Sequence, residues 1–220
     1  NSFPSDLLDR LTNELNSLSH NPEVLVIVLK SSGSGAFCAG ASFDELKAIL
    51  NLEEATKFFS GFANVLNAMR RCSKIIIGRI HGKAVGGGVG IAAACDYALA
   101  TSGSNIKLSE LAIGIGPFVI EPAIIRKIGK SALTEMTLET EWKSASWANK
   151  KGLYAKVFET TAELDIETSA FANKLAHYNP EALTQMKKCF GKEPIIGTRC
   201  FMKELRFLGN YYFPIFLRQH

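Results

Sequence analysis

Residues 75–94 read IIIGRIHGKAVGGGVGIAAA, an apolar run that leads through a glycine turn into small apolar residues. The run Ile75 to Ile80 is rich in β-branched residues, which predicts a strand buried on both faces. The glycines at 86–88 predict a turn, and Ile91 to Ala94 predicts the beginning of a helix. A buried strand that leads into a helix indicates α/β architecture.

The segments on either side continue this alternation. The leucine spacing near the beginning of the chain predicts a helix, and a second β-branched run predicts another buried strand. The predicted elements are a helix over Pro4 to Leu18, a strand over Val24 to Leu29, helical structure over Ser42 to Met69 with a break near Asn51, a short strand over Tyr97 to Ala100, and mainly helical structure from Pro117 to Lys188. The pattern is that of one α/β protein rather than of a repeat array.

Composition narrows the class of protein. Hydrophobic residues make up 47% of the 220 residues and charged residues 21%, so the chain can bury a sizeable core without a metal or disulfide staple. The five cysteines are an odd number and include no CxxC pair, which favours a reducing compartment over a zinc site or a disulfide framework. We therefore expect no metal and no redox cofactor.

The distribution of charge argues against a nucleic-acid-binding protein. Of the net charge of +4, residues 185–220 supply seven Lys or Arg and two Glu, or +5, which leaves the preceding body at about −1. The sequence contains no apolar run of 18 residues and no signal peptide, so we expect no membrane span and a cytoplasmic location.

Two glycine-containing turns are candidates for the functional site. The first is FCAGAS at residues 37–42, and the second is HGKAVGGG at residues 81–88. Glycine allows another group to approach the backbone closely, and a helix that begins after such a turn leaves free N–H groups. Two such N–H groups that converge on one oxygen form an oxyanion hole, in which each donor contributes about 3 kcal/mol to the transition state.

Four segments in succession resemble one enzyme family. They are GAFCAGASFDEL at 35–46, IIIGRIHGKAVGGGVGIAAACDYALA at 75–100, KLSELAIGIG at 107–116, and LETEWKSASWANKKGLYAKVF at 138–158. Their order and spacing resemble the crotonase (enoyl-CoA hydratase/isomerase) superfamily, and the resemblance runs from about Asn1 to Lys188. It implies a spiral of repeated ββα units with a helical C-terminal region, an acyl-CoA substrate, no other cofactor, and assembly as homotrimers or hexamers.

The resemblance also implies site residues. Ala41 and Gly87 would supply the two N–H groups of the oxyanion hole, and Glu110 would be the catalytic acid or base. The residues expected along the bound substrate are Ala39, Gly40 and Gly86.

The sequence departs from the family pattern at the position of a second glutamate. Many hydratases of this family carry that glutamate three residues after the second oxyanion glycine, where this chain has Gly90. Glu121 is a candidate replacement, although a carboxylate at the beginning of a helix also stabilises the helix dipole. The residues at 117–120 replace a glycine-rich run and are expected to change the wall of the substrate pocket.

Three functions remain open from the sequence. The first is addition or removal of water across the α,β double bond of a short or branched enoyl-CoA, favoured by a local resemblance to dehydratases of 3-methylglutaryl units. The second is a 3-enoyl-CoA to 2-enoyl-CoA isomerase with Glu110 as its single base. The third is a non-catalytic acyl-CoA-binding homologue. The glycines of 88–93 also fit a dinucleotide fingerprint, but the residues between the strand and the glycines are too many for it.

The domain boundaries follow from the same family resemblance. We predict a core over residues 1–175, whose first strands would precede Asn1, and a C-terminal helical region over 176–220. Residues 191–220 do not resemble the family, and we hypothesise a frameshift in the source sequence, which the coding DNA would test.

Overall fold

A computed structural model describes residues 1–190 of the chain. The strands are β1 (Val26–Lys30), β2 (Ile75–Ile80), β3 (Ala84–Val85), β4 (Tyr97–Thr101), β5 (Ile106–Lys107) and β6 (Lys156–Phe158). The helices are α1 (Ser5–His20), α2 (Phe43–Lys47), α3 (Leu52–Arg71), α4 (Gly87–Ala94), α5 (Glu121–Glu139), α6 (Ala145–Lys150), α7 (Thr161–Ala176) and α8 (Pro180–Phe190), with a 3-10 turn at Leu111–Ile113.

Four strands form a parallel sheet in the order β1-β2-β4-β6. All six residues of β2 are buried, because β1 and β4 flank it and helices cover the sheet. This burial explains the continuous apolar run and confirms the strand predicted at Ile75–Ile80. The single charged residue of β2, Arg79, makes a bidentate ion pair with Asp165 of α7, with N–O distances of 2.7 and 2.9 Å.

A second, smaller sheet brings distant loops together. Strands β3 and β5 pair in parallel, with Ala84 opposite Ile106 and Val85 opposite Lys107. A β-bridge from Cys38 to Ala84 adds the loop after β1 to the same ladder. Three loops that follow strands in the sequence therefore lie side by side.

Helices cover the sheets and enclose the core. Helix α1 packs on α3, α4 packs on α5, and α7 packs on the four-stranded sheet. The predicted break near Asn51 is confirmed, because Asn51 caps α3 by accepting a hydrogen bond from the N–H of Glu54 at 2.9 Å. Helix α4 is buried at all eight of its residues and belongs to the hydrophobic core.

Apart from shifts of one or two residues at the ends of elements, the structure differs from the sequence predictions in the start of α4 and in three short strands. Helix α4 begins at Gly87 rather than near Ile91, because the carbonyl of Gly86 accepts hydrogen bonds from the N–H groups of Val89 and Gly90. The short strands β3, β5 and β6 were not predicted, since two or three residues are too few to show a periodic pattern.

Residues Asn1–Lys187 form one compact unit. The chain from Lys188 onward is a second unit, of which the structure describes residues 188–190, the end of α8. The frameshift hypothesis for residues 191–220 lies outside the described residues. Within residues 1–190, no helix is both long enough and apolar enough to cross a membrane.

Candidate active site

The small sheet positions three segments around one pocket. The N–H of Val85 donates to the carbonyl of Cys38 at 2.9 Å, which holds the first glycine turn against the second. The N–H of Gly86 donates to the carbonyl of Lys107 at 2.9 Å, which holds the second turn against the segment that leads to Glu110. These bonds bring together segments that are distant along the chain: Cys38 in the first segment and Glu110 in the third are 72 positions apart.

The pocket contains the site residues expected from the family resemblance. Its empty space is about 790 Å³ and opens to solvent. The lining includes both residues expected to donate N–H groups, the expected acid or base, and the three residues expected along the substrate. These six residues are Ala39, Gly40, Ala41, Gly86, Gly87 and Glu110. The tertiary structure thus brings the main candidates to one place.

Two backbone N–H groups on this lining are available to a ligand. Neither the N–H of Ala41 nor that of Gly87 donates a hydrogen bond to any described residue. Gly87 is the first residue of α4, where N–H groups have no partner within the helix and the helix dipole is positive. Gly40 joins the two turns closely: with φ +89°, a Cβ at this position would lie 3.1 Å from the carbonyl oxygen of Val85 and 3.8 Å from the nitrogen of Gly87.

The carboxyl group of Glu110 lies against Gly86, the residue that precedes one of these donors. A Cβ built on Gly86 would be 2.7 Å from Glu110 Oε1, so the carboxyl packs directly against the residue before Gly87. Oε2 is buried and has no hydrogen-bond partner among the described residues. Burial raises the pKa of Glu110 above its usual value, opposed in part by the backbone N–H groups of Glu110 and Ser109. A raised pKa makes this carboxyl group a better proton acceptor than an exposed glutamate.

The position of the missing second glutamate is filled by an apolar side chain. A Cβ on Gly90 would lie 2.6 Å from Cγ2 and 2.7 Å from Cβ of Ile120, which is buried. The candidate replacement, Glu121, is exposed at the beginning of α5 and does not line the pocket. The structure therefore leaves Glu121 outside the group formed by Ala41, Gly87 and Glu110, and the role of a carboxylate at a helix N-terminus accounts for its place.

Apolar side chains form the rest of the pocket wall. Phe58 and Phe62 project from adjacent turns of α3, and a Cβ on Gly87 would lie 2.2 Å from the ring of Phe62. Glycine at 87 is thus required for the ring to contact the backbone donors. The spacing of these phenylalanines in the sequence indicated either core or acyl-pocket lining, and they do line the pocket. Ile120 lies in the segment 117–120 that was expected in the pocket wall, but its contact with Gly90 was not predicted, because nothing local in the sequence links the two positions.

Two free backbone donors, one of them at the N-terminus of α4, and one buried carboxyl group can together stabilise a negatively charged oxygen and move a proton beside it. This combination, in an apolar pocket of an α/β protein, forms a candidate acid–base site. The profile of the enoyl-CoA hydratase/isomerase family matches residues 1–194, so this chain belongs to that family and has the crotonase fold.

Individual relatives include both kinds of enzyme in the family name. A peroxisomal Delta(3,5)-Delta(2,4)-dienoyl-CoA isomerase of Arabidopsis thaliana is 30% identical over 202 residues, 85% of this chain and 71% of that protein. A short-chain-enoyl-CoA hydratase of Clostridium acetobutylicum is 28% identical over 201 residues, 91% of this chain and 75% of that protein. The crystal structure of an enoyl-CoA hydratase from Mycobacterium smegmatis superimposes with a TM-score of 0.82 at 30% identity, covering 86% of this chain and 73% of that one.

Proposed function

We propose that this enzyme is a double-bond isomerase that converts a 3-enoyl-CoA to the 2-enoyl-CoA. One observation carries the proposal. Among the described residues, Glu110 is the single ionisable side chain that lines the pocket. Moving a proton from C2 to C4 of an acyl chain requires one base that returns the proton it removes, whereas hydration also requires a group that activates water.

The proposed mechanism uses the backbone donors and Glu110 in turn. The N–H groups of Ala41 and Gly87 bind the thioester oxygen, which makes the C2 proton acidic. Glu110 removes that proton, and the negative charge of the resulting dienolate rests on the oxygen held by the two donors. Glu110 then delivers the same proton to C4, so that the double bond moves from C3–C4 to C2–C3 and no atom is gained or lost.

Hydration is the second candidate, and the comparison with the Clostridium acetobutylicum hydratase favours it. The sequence alone placed hydration first. Isomerisation is supported over hydration by two observations: Ile120 fills the space beside Gly90, and Glu121 lies outside the pocket lining. A hydratase would then have to activate water with Glu110 alone.

Assays with two substrates and two variants test the proposal. The chain is expected to turn over 3-hexenoyl-CoA and to hydrate crotonyl-CoA far more slowly. Glu110→Gln should reduce isomerisation by about 10²- to 10⁴-fold, the range for loss of a general acid–base group. Glu121→Gln is the matched control and should retain wild-type turnover, because its carboxylate is exposed outside the pocket lining.

Three results would contradict the proposal. Faster hydration of crotonyl-CoA than isomerisation of 3-hexenoyl-CoA would make the protein a hydratase. Undiminished turnover by Glu110→Gln would remove the assigned base. Tight binding of both thioesters without turnover of either would favour a non-catalytic acyl-CoA-binding protein.

A further inference from the structure

We infer that the acyl pocket accepts an uncharged hydrocarbon chain and rejects a chain that ends in a carboxylate. This inference rests on the proposed function, since it names the class of acyl group that the same site takes. It also separates this chain from the dehydratases of 3-methylglutaryl units that its sequence resembles locally, because a methylglutaryl unit carries a second carboxylate.

The walls of the pocket consist of hydrocarbon. One wall is a cluster of aromatic rings on α3, Phe58, Phe59 and Phe62, in which the first two rings meet edge to face at 5.2 Å. The facing wall comes from the segment after Glu110 and includes Ile113, Ile115 and Val119. An acyl chain between these walls exchanges contact with water for contact with apolar side chains. Each buried methylene group should therefore tighten binding about 3- to 4-fold.

A terminal carboxylate would have no partner in this pocket. No lysine, arginine or histidine is among the described residues that line it. The single ionisable group on the lining is Glu110, whose negative charge would repel a second carboxylate. An ionised carboxylate moved from water to an apolar surrounding without a counter-ion loses far more hydration free energy than the chain gains by burial.

Lysines on neighbouring elements are engaged elsewhere. The ammonium group of Lys47 lies 4.7 Å from the ring centroid of Phe43 and 3.7 Å from a carboxylate oxygen of Asp44. Those of Lys83 and Lys107 lie 5.0 and 5.9 Å from the ring centroid of Trp142. None of these lysines lines the pocket, so charge on the lining itself does not favour a dicarboxylic acyl group.

Binding of saturated thioesters tests the inference without any turnover. Hexanoyl-CoA and adipyl-CoA have six-carbon acyl chains and differ by the terminal carboxylate. We expect isothermal titration calorimetry with the full chain to show that hexanoyl-CoA binds about 100-fold more tightly than adipyl-CoA. Hexanoyl-CoA should also bind about tenfold more tightly than butyryl-CoA, because it buries two further methylene groups.

A variant at the rim of the pocket provides the complementary test. Ile113 lines the pocket but is 49% exposed, so a polar residue there leaves the core intact. Ile113→Lys should reduce the preference for hexanoyl-CoA over adipyl-CoA at least tenfold by supplying the missing counter-ion, and Ile113→Gln, the uncharged control, should not. Equal affinity of the wild-type chain for the two six-carbon thioesters would overturn this inference alone. Failure to bind any of the thioesters would overturn the proposed function together with it.

Discussion

Replacing Gly86 by alanine should displace the carboxyl group of Glu110 and strain the backbone, and a matched variant can separate the loss of activity from the loss of stability. Gly86 has φ +51° and ψ −117°, a backbone conformation that alanine adopts only under strain. A Cβ on this residue would also be in contact with the carboxyl group of Glu110. One added methyl group therefore acts on the backbone and on the proposed base at the same time.

The structure gives the size of both effects. The new Cβ would be 2.7 Å from Glu110 Oε1, and ordinary contact begins at 3.4 Å, so the oxygen must move away by about 0.7 Å. A displacement of about 1 Å can cost about 10²-fold in rate, so we expect a loss of that order in kcat/KM, or about 2.7 kcal/mol of transition-state free energy. The strained backbone should lower the free energy of unfolding by about 1–3 kcal/mol.

Gly33→Ala is the matched control. Gly33 has φ +76°, and a Cβ at that position would meet nothing within 4 Å. This variant should lose about 1–2 kcal/mol of stability through backbone strain alone and retain wild-type turnover. Urea denaturation followed by circular dichroism measures the first quantity, and the rate of 3-hexenoyl-CoA isomerisation in the absence of urea measures the second.

The comparison of the two variants can refute the placement of Glu110. If folded Gly86→Ala turns over 3-hexenoyl-CoA as fast as Gly33→Ala does, the carboxyl either does not lie against residue 86 or takes no part in the reaction. Recovery of the Gly86→Ala activity in a more stable background would likewise assign the loss to unfolding rather than to displacement of the base.

Three further results are expected. Burial raises the pKa of Glu110, so kcat/KM should increase with pH through an acid limb centred above the usual pKa of glutamate, and a limb at or below that value would contradict the burial. In the same pH window the free energy of unfolding should fall as pH rises, and Glu110→Gln should abolish this dependence. Burial also raises the pKa of Cys38 to about 11, so its thiol should resist iodoacetamide in the native protein and react on unfolding. Peptide mass spectrometry measures the labelling, and rapid labelling of Cys38 in the folded protein would refute this expectation. Asp96→Asn should lower the free energy of unfolding in urea by about 3–5 kcal/mol, because it leaves Lys187 buried without the carboxylate that now lies 2.8 Å away. The control Asp44→Asn breaks an exposed ion pair and should leave the denaturation midpoint unchanged, and equal midpoints for the two variants would refute the importance of the buried pair.

The regular elements of the core were accessible from the sequence where they are long and uniformly patterned. The strand at Ile75–Ile80 was predicted with the bounds that it has, because every one of its residues is buried and a parallel strand of that kind has a continuous apolar sequence apart from Arg79. Strands β3 and β5 were missed, because each has two residues and owes its conformation to the partner strand rather than to its own residues.

The sequence by itself determined the family and predicted candidate site residues, which the structure places on the lining of one pocket. A local sequence pattern identifies each of the three segments, namely the glycine turns that contain Ala41 and Gly87 and the segment that contains Glu110. What occupies the space between those segments was decided by the tertiary structure. Ile120 fills the space beside Gly90 from 30 residues further on, and Lys187 pairs with Asp96 across 91 residues. A local pattern reports the conformation of its own segment, whereas contacts between segments depend on the path that the whole backbone takes through the sheets, so the number of carboxylates in the pocket could be read only from the folded chain.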